Sequence, residues 1–190
     1  MTTIAYKDGV LAADTLCVNG HIRSGFATKI VRGPRGELAG SAGSAGFNRA
    51  FNAWVTAGME GEPPKAAETD DIRDYGFVVL PNGEIEQHEP EGVNRLRADI
   101  FAVGSGRNVA QGAMKAGATA EEAVRIAIDL DCYSGGEVTV LRRPSDAELV
   151  CEHLRRNFPD PTITNTIFAM TASDGPTEDT TDNRAEGSSA

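Results

Sequence analysis

Two short apolar segments separated by a tight turn open the chain, and this pattern constrains the fold more than any other feature. Residues 3–6 and 10–13 flank the turn Lys7-Asp8-Gly9. An Asp-Gly pair in this position is typical of a β-hairpin, because both residues tolerate the positive φ angles of a tight hairpin turn. The chain is therefore expected to begin with two antiparallel strands.

Further along the chain, strands and helices are predicted in separate runs. Two looser extended segments are predicted in residues 21–30, a strand ending in residues 36–40, a hairpin in residues 75–87, and single strands at residues 100–103 and 138–141. Helices are predicted at residues 47–59, 107–117, 119–131 and 145–158, the last two starting with the capping boxes Thr119/Glu122 and Ser145/Glu148. Such segregation favours an α+β fold over a parallel βαβ fold.

The charge balance excludes several classes of partner. The 190 residues carry 28 acidic and 18 basic side chains, giving a net charge of −10, so a phosphate backbone would be repelled and no nucleic acid is expected as a partner. No apolar segment approaches the length of a membrane span, and no signal peptide is predicted at the start. No membrane partner is therefore expected, and a cytoplasmic location is predicted.

Cysteine and histidine placement argues against a disulfide framework or a metal site. Three cysteines form an odd set without motif spacing, which fits a reducing compartment. The three histidines lie far apart, and no CxxC or HxxxH pair is present. We therefore expect no metal and no organic cofactor.

The end of the chain differs in composition from the rest. Residues 171–190 carry five carboxylates against one arginine and are rich in Ser, Thr and Gly. We predict a folded domain at residues 1–160 and a C-terminal extension at residues 161–190, acidic and disordered from about residue 172.

The second residue carries the sharpest chemical signal. Met1 precedes Thr2, and initiator methionine is generally removed ahead of so small a residue. An N-terminal threonine has a hydroxyl that can attack a carbonyl and an α-amine of pKa about 7.7–8.0 that can accept the proton. Because many chains begin Met-Thr, this feature needs support from other positions.

That support comes from five further segments that occur in a fixed order. They are the stretch Ala12-Ala13-Asp14, the segment Ala27-Thr28-Lys29-Ile30-Val31, the small-residue segment 38–46 containing Gly43, the turn Gly104-Ser105-Gly106, and the string Asp131-Cys132-Tyr133-Ser134-Gly135-Gly136. Each has a bland interpretation by itself, such as a surface ion pair, a flexible glycine loop or a helix-capping turn. Together with the opening hairpin they resemble the proteasome β-type subunits and the bacterial HslV-like peptidases over residues 2–143.

The resemblance implies a fold and a mechanism. The fold would be the four-layer αββα sandwich of N-terminal-nucleophile hydrolases, and the activity would be that of a threonine endopeptidase. Thr2 would be the nucleophile, Lys29 would stabilise its alkoxide-like state and Asp14 would anchor Lys29, while the Gly43 N–H would bind the oxyanion. The remaining catalytic positions implied by the resemblance are Ser105, Asp131 and Ser134, which would orient the α-amine.

The resemblance also implies a substrate pocket and an assembly. The first substrate pocket would be roomy and mostly apolar, or would favour acidic substrate side chains if Arg49 points into it. The residues expected to line this pocket are Cys17, Ala27, Val31, Ser41, Ala45 and Arg49. The substrates would be polypeptides, the assembly a homo-oligomeric ring, and the partner an ATP-dependent unfoldase. The chain departs from the family in its shorter first hairpin, its shorter region between Met59 and Tyr75, and its acidic C-terminal extension.

Three alternatives to this interpretation remain. Ring assemblies of this family include non-catalytic scaffold subunits, although those generally lose the threonine or the lysine that this chain has. A dinucleotide-binding site is the second alternative, because Gly104-Ser105-Gly106 resembles the start of the glycine-rich fingerprint. Val109 stands where that fingerprint needs a small residue, however, and no βαβ unit is predicted around it. Cys132 could act as a thiol nucleophile, but a buried structural cysteine is the favoured interpretation.

Overall fold

The computed structural model describes residues 2–145 together with residues 148 and 150. The chain divides into two units, Met1–Arg143 and Pro144–Ala190. In the second unit, Ser145 and Glu148 exchange the hydrogen bonds of the predicted capping box, with Glu148 N–H donating to Ser145 Oγ at 3.2 Å and Ser145 N–H donating to Glu148 Oε2 at 2.7 Å. The remainder of that predicted helix, and the acidic tail, lie outside the described residues.

The first unit combines antiparallel sheets with three helices, as expected for an α+β fold. Within the described residues the strands are β1 (Thr3–Lys7), β2 (Val10–Asp14), β3 (Leu16–Asn19), β4 (Ile22–Phe26), β5 (Ile30–Arg32), β6 (Leu38–Ala42), β7 (Tyr75–Val79), β8 (Ile85–Glu89), β9 (Gly92–Leu96), β10 (Ile100–Gly104) and β11 (Val138–Arg142). The helices are α1 (Ala45–Thr56), α2 (Arg107–Lys115) and α3 (Ala120–Leu130).

The predicted opening hairpin is confirmed and forms the centre of a four-stranded sheet of order β10-β1-β2-β11. Asp8 and Gly9 both have positive φ, at 50° and 75°, as a tight hairpin turn requires. Strand β1 pairs with β10 from Thr3 opposite Gly104 to Lys7 opposite Ile100. This pairing brings the start of the chain next to the Gly104-Ser105-Gly106 turn, and Thr2 and Ser105 are 103 residues apart in the sequence.

A second sheet has the order β5-β6-β7-β8-β9, and all its neighbouring strands are antiparallel. Strands β3 and β4 form a separate two-stranded hairpin. Two side chains of this hairpin, Ile22 and Phe26, are large, apolar and at least 70% exposed.

Three apolar clusters fill the interior, and alternate residues of single strands contribute to different clusters. Ile4 and Tyr6 of β1 join Leu38 of β6 and Phe77 of β7 in the first cluster, so this cluster contains residues from both large sheets. Ala5, between Ile4 and Tyr6, belongs to the second cluster, with residues of α2 and α3. The third cluster joins β6 and β7 to α1. The period-2 alternation of strand side chains explains this distribution.

Three parts of the fold differ from the sequence prediction. Of the two extended segments expected in residues 21–30, only β4 lies there; its partner is β3, which was not predicted, and β5 begins at Ile30. Strand β9 was not predicted, because its sequence Gly-Val-Asn-Arg-Leu is largely exposed and lacks an apolar alternation. Helix α1 begins two residues earlier than predicted and ends at Thr56 rather than near Met59. Ser44 explains the earlier start, since its side chain accepts a hydrogen bond from the Phe47 N–H as an N-cap.

Candidate active site

The amino end of β1 is buried, although it contains two hydroxyl side chains. Thr2 is 3% exposed and Thr3 is fully buried. Buried polar groups need partners within the protein, because the loss of water would otherwise cost free energy. Two groups of polar residues surround this end of the strand, one centred on Asp14 and the other on Asp131.

Asp14 gathers donors from three parts of the chain. Its Oδ1 accepts a hydrogen bond from the Thr3 N–H at 2.8 Å and another from Lys29 Nζ at 2.7 Å. Its Oδ2 accepts from the Gly135 N–H at 3.1 Å. Because one oxygen serves both Lys29 and Thr3, the ammonium group lies close to the backbone at the start of β1.

Lys29 is held on both sides in a buried environment. Besides the ion pair with Asp14, its ammonium donates to the Leu16 carbonyl at 2.7 Å, and the residue is 7% exposed. Burial lowers the pKa of Lys29 below its ordinary value of 10.5, and the charge and hydrogen bond of Asp14 oppose that change. The ammonium is therefore more acidic than an exposed lysine.

The second group links Asp131 to two serines and through them to the first two threonines. Asp131 Oδ2 accepts hydrogen bonds from Ser105 Oγ and Ser134 Oγ, both at 2.7 Å. Ser134 Oγ lies 2.6 Å from Thr3 Oγ1, and the Ser105 N–H donates to the Thr2 carbonyl at 2.8 Å. The three residues predicted from the resemblance thus meet, and within the described residues Ser105 binds the Thr2 carbonyl and Ser134 binds the Thr3 hydroxyl.

Glycine is required on both sides of Ser105 because the backbone of β1 approaches so closely. A Cβ at Gly104 would lie 1.8 Å from the Thr2 carbonyl oxygen, and one at Gly106 would lie 2.2 Å from Thr3 Oγ1. Gly104 also has a φ of +94°, in the region that favours glycine. The Gly-Ser-Gly string is therefore a steric requirement of this site as well as the start of a helix.

The turn containing Gly43 lies between β6 and α1. Gly43 has a φ of +120°, and a Cβ there would lie 2.5 Å from Asp74 Oδ1 and 2.9 Å from the Arg73 carbonyl oxygen. Both observations make glycine the residue of choice at this position. A role for its N–H in binding an oxyanion stays a prediction.

The residues predicted to line a substrate pocket have unequal exposure. Ser41 is 1% exposed, and its hydroxyl has no hydrogen-bond partner in the described part of the chain. The others range from half-buried to exposed: Cys17 and Val31 are half-buried, whereas Ala27, Ala45 and Arg49 are exposed.

An open pocket of about 480 Å³ is lined by residues that are sequence neighbours of Asp14 and Lys29. Thr15 and Thr28, the residues adjoining the two charged groups, contribute to its wall. Phe26 and Gly136 approach each other there, since a Cβ at Gly136 would lie 2.7 Å from the Phe26 ring. Ala27, one of the residues predicted to line the substrate pocket, contributes to the same wall.

One prediction about the site is wrong, and two residues were missed. Cys132 is exposed rather than buried, because it follows the end of α3 in the turn that Ser134 closes. Thr3 and Asp74 were not predicted as site residues. The sequence carried a signal for Thr3, because it directly follows Thr2 as a second threonine. Among the described residues, no cluster of metal-ligating side chains and no helix long and apolar enough to cross a membrane is present.

Comparisons with known proteins identify similar structures only. No protein-family model matches the chain, and no curated protein does. Thiobacillus denitrificans BPH in complex with epoxomicin is similar, with a TM-score of 0.53 and 23% identity over 76% of this chain and 99% of that chain. A second structure of Thiobacillus denitrificans BPH has the same TM-score and coverage at 24% identity. At this identity the similarity shows a shared fold.

Proposed function

We propose that this protein is a threonine-type endopeptidase that uses Thr2 as its N-terminal nucleophile. The observation that carries the proposal is the buried ion pair of Lys29 and Asp14, whose shared oxygen also holds the Thr3 N–H. This arrangement supports a role for Lys29 beside the first residue of the mature chain. The mechanism requires a free α-amine, so whatever precedes Thr2 must be removed.

In the proposed reaction, Thr2 Oγ attacks the carbonyl carbon of a peptide bond while the α-amine takes the hydroxyl proton. The Gly43 N–H donates to the oxyanion of the tetrahedral intermediate. The C–N bond then breaks, and the proton passes from the α-ammonium to the leaving amine. Water, deprotonated by the same amine, hydrolyses the ester on Thr2 and restores the hydroxyl.

Lys29 supplies positive charge where the hydroxyl loses its proton. A buried ammonium is more effective than an exposed one, because the low local dielectric strengthens its interaction with a developing negative charge. The lowered pKa of Lys29 also makes it a better hydrogen-bond donor. Asp14 keeps the ammonium in place and is itself fixed by two backbone N–H groups.

Ser105, Asp131 and Ser134 hold the backbone around the nucleophile. They form a connected set that binds the Thr2 carbonyl and the Thr3 hydroxyl. We propose that this set orients the α-amine of Thr2 by fixing the peptide next to it. Small errors of placement are costly in such a mechanism, because attack requires a narrow range of distances and angles.

The fold supports the same proposal. The three apolar clusters are those expected between the layers of an αββα sandwich, with α2 and α3 on one side and α1 on the other. The similar structure of Thiobacillus denitrificans BPH was obtained with epoxomicin, a proteasome inhibitor. We propose by this likeness that the chain is a proteasome-like N-terminal-nucleophile hydrolase. A homo-oligomeric ring, an unfoldase partner and a cytoplasmic location remain predictions from the sequence resemblance.

Intact mass spectrometry with a peptide epoxyketone tests the proposal. This warhead reacts with a hydroxyl and an α-amine together, so a stable adduct requires an N-terminal Ser or Thr. We expect loss of Met1 and one adduct per chain in the wild type, retention of the adduct in T2S, and none in T2A. The incubation is repeated on each fraction from size-exclusion chromatography, so that an assembly-dependent site is detected.

The outcomes distinguish the alternatives. A processed, folded chain that forms no adduct in any fraction refutes the peptidase proposal and supports a scaffold subunit. An adduct that persists in T2A would place the nucleophile elsewhere. A chain that keeps Met1 in every preparation has no free threonine amine, and this also refutes the proposed mechanism.

A further inference from the structure

A buried carboxylate lies at the start of β7, outside the set of residues that the proposed chemistry uses. Asp74 is 5% exposed. Its Oδ1 accepts a hydrogen bond from the Ser44 N–H at 2.7 Å, and its Oδ2 accepts one from the Ala67 N–H at 3.2 Å. Its own N–H donates to the Ala67 carbonyl at 2.8 Å. Asp74 therefore connects β7 to the loop before it and to the turn that contains Gly43.

The charge of Asp74 is compensated by backbone dipoles. In the described part of the chain its carboxylate accepts hydrogen bonds from backbone N–H groups, whereas the neighbouring Arg73 pairs with Glu68 and Glu91. A buried carboxylate is stable only when hydrogen bonds replace its hydration. The Ser44 N–H belongs to the N-cap of α1, where negative charge is favoured, and the first turn of α1 has no acidic residue of its own.

The contact with Asp74 fixes the orientation of a peptide group in the Gly43 turn. Because a trans peptide is planar, directing the Ser44 N–H at Asp74 directs the Gly43 carbonyl to the opposite side. Gly43 also lies against Asp74, since a Cβ would come within 2.7 Å of the Asp74 Cα. Rotation of this peptide would break the hydrogen bond and leave a buried carboxylate without one of its donors.

We propose that Asp74 is a positioning residue that holds the Gly43–Ser44 turn in the conformation needed for the Gly43 N–H to bind an oxyanion. The inference rests on the proposed function for its catalytic consequence. The hydrogen bonds that carry it concern the turn alone, so they can be tested without catalysis.

The first test compares D74N with D71N, a matched control at an exposed position of the same loop. In D74N an NH2 group replaces one carboxylate oxygen and must face a backbone N–H, so the turn loses a restraint. With a fluorogenic peptide substrate we expect kcat to fall about 10- to 100-fold in D74N, with KM changed less than about threefold, because the loss of a complete oxyanion donor costs 10²–10³. D71N should match the wild type.

A second pair of variants isolates the donor. Ser44 has a φ of −69°, within the range of proline, so S44P removes the N–H that binds Asp74, and the ring Cδ that replaces the hydrogen displaces the carboxylate. Both S44P and S44A lose the hydroxyl that caps α1, but S44A retains the N–H. We expect S44P to reproduce the fall in kcat of D74N, and S44A to keep kcat within about twofold of the wild type. The double variant D74N/S44P should show no further fall in kcat, because both substitutions remove the same interaction.

Amide hydrogen exchange at Ser44, measured by NMR, separates this inference from the proposed function. Slow exchange in the wild type and in D71N, with faster exchange in D74N, supports the positioning role whatever the activity. Fast exchange in the wild type overturns it. If the wild type turns over substrate and kcat is unchanged in both D74N and S44P, the catalytic consequence is overturned. A loss of activity that comes from KM alone overturns it as well.

Discussion

Removal of the Asp14 carboxylate should destabilise the protein more than removal of the charge it pairs with. D14A deletes an acceptor of three hydrogen bonds and leaves the Lys29 ammonium buried without its carboxylate. Breaking a buried ion pair in this way costs about 3–5 kcal/mol. The two abandoned N–H groups, of Thr3 and Gly135, add to that cost, since each unsatisfied buried donor costs about 1–3 kcal/mol. We expect D14A to lose at least about 4 kcal/mol of the free energy of unfolding.

The reciprocal substitution K29M should cost less. It replaces the lysine by an apolar side chain of similar length and leaves Asp14 a buried carboxylate without its counter-ion. Because both backbone N–H groups still donate to that carboxylate, we expect a loss near the lower end of the range, about 3 kcal/mol. K29M should therefore fold but form no epoxyketone adduct. For a typical domain, whose free energy of unfolding is about 5–15 kcal/mol, D14A approaches the limit of folding.

Urea denaturation followed by circular dichroism measures both losses, with D99A as a control at an exposed aspartate. D99A should unfold at the wild-type midpoint. The reasoning is refuted if K29M is destabilised as strongly as D14A, because the hydrogen bonds to Thr3 and Gly135 would then contribute nothing. A loss below about 1 kcal/mol in D14A would show that Lys29 is not buried as a charged group.

Three further predictions concern other positions. Burial lowers the pKa of His88 from its ordinary value of 6.5, so the unfolded chain binds more protons than the folded one, and the free energy of unfolding should fall as the pH drops below 6.5. In urea titrations from pH 7.5 to 4.5, H88L should flatten this dependence and the control H21Q should leave it unchanged. G43A should lose about 2 kcal/mol in urea denaturation because of its φ of +120° and the contact with Asp74, whereas G46A, with open space around the Cβ, should not be destabilised. C132S should form the epoxyketone adduct at the wild-type rate by mass spectrometry, and a loss of the adduct would revive the thiol as nucleophile.

Local sequence patterns were sufficient for most of the strands and helices. The hairpin of residues 3–14 was predictable because Asp8-Gly9 selects a tight turn and the flanking residues alternate between two buried faces. The capping pair Thr119/Glu122 fixed the start of α3 in the same way. These signals act over a few residues, and the sequence displays them directly.

Strand β9 and the exposure of Cys132 were not predictable from such signals. The residues of β9 are mostly exposed, so their pairing with β8 depends on the strand already formed rather than on their own apolar pattern. Cys132 lies in a turn whose orientation is set by hydrogen bonds of Asp131 and Ser134, and composition carries no information about it.

The residue types of the site and their order can be seen in the sequence, since it shows a threonine near the start, an aspartate, a lysine and a set of glycine turns. How these residues meet depends on the folded chain. The shared oxygen of Asp14, the fit of Gly104 against the Thr2 carbonyl and the hold of Asp74 on the Gly43 turn each join segments that are at least 11 residues apart. Such contacts depend on strand register and on the closeness of two backbones, which the whole fold sets and no local pattern encodes.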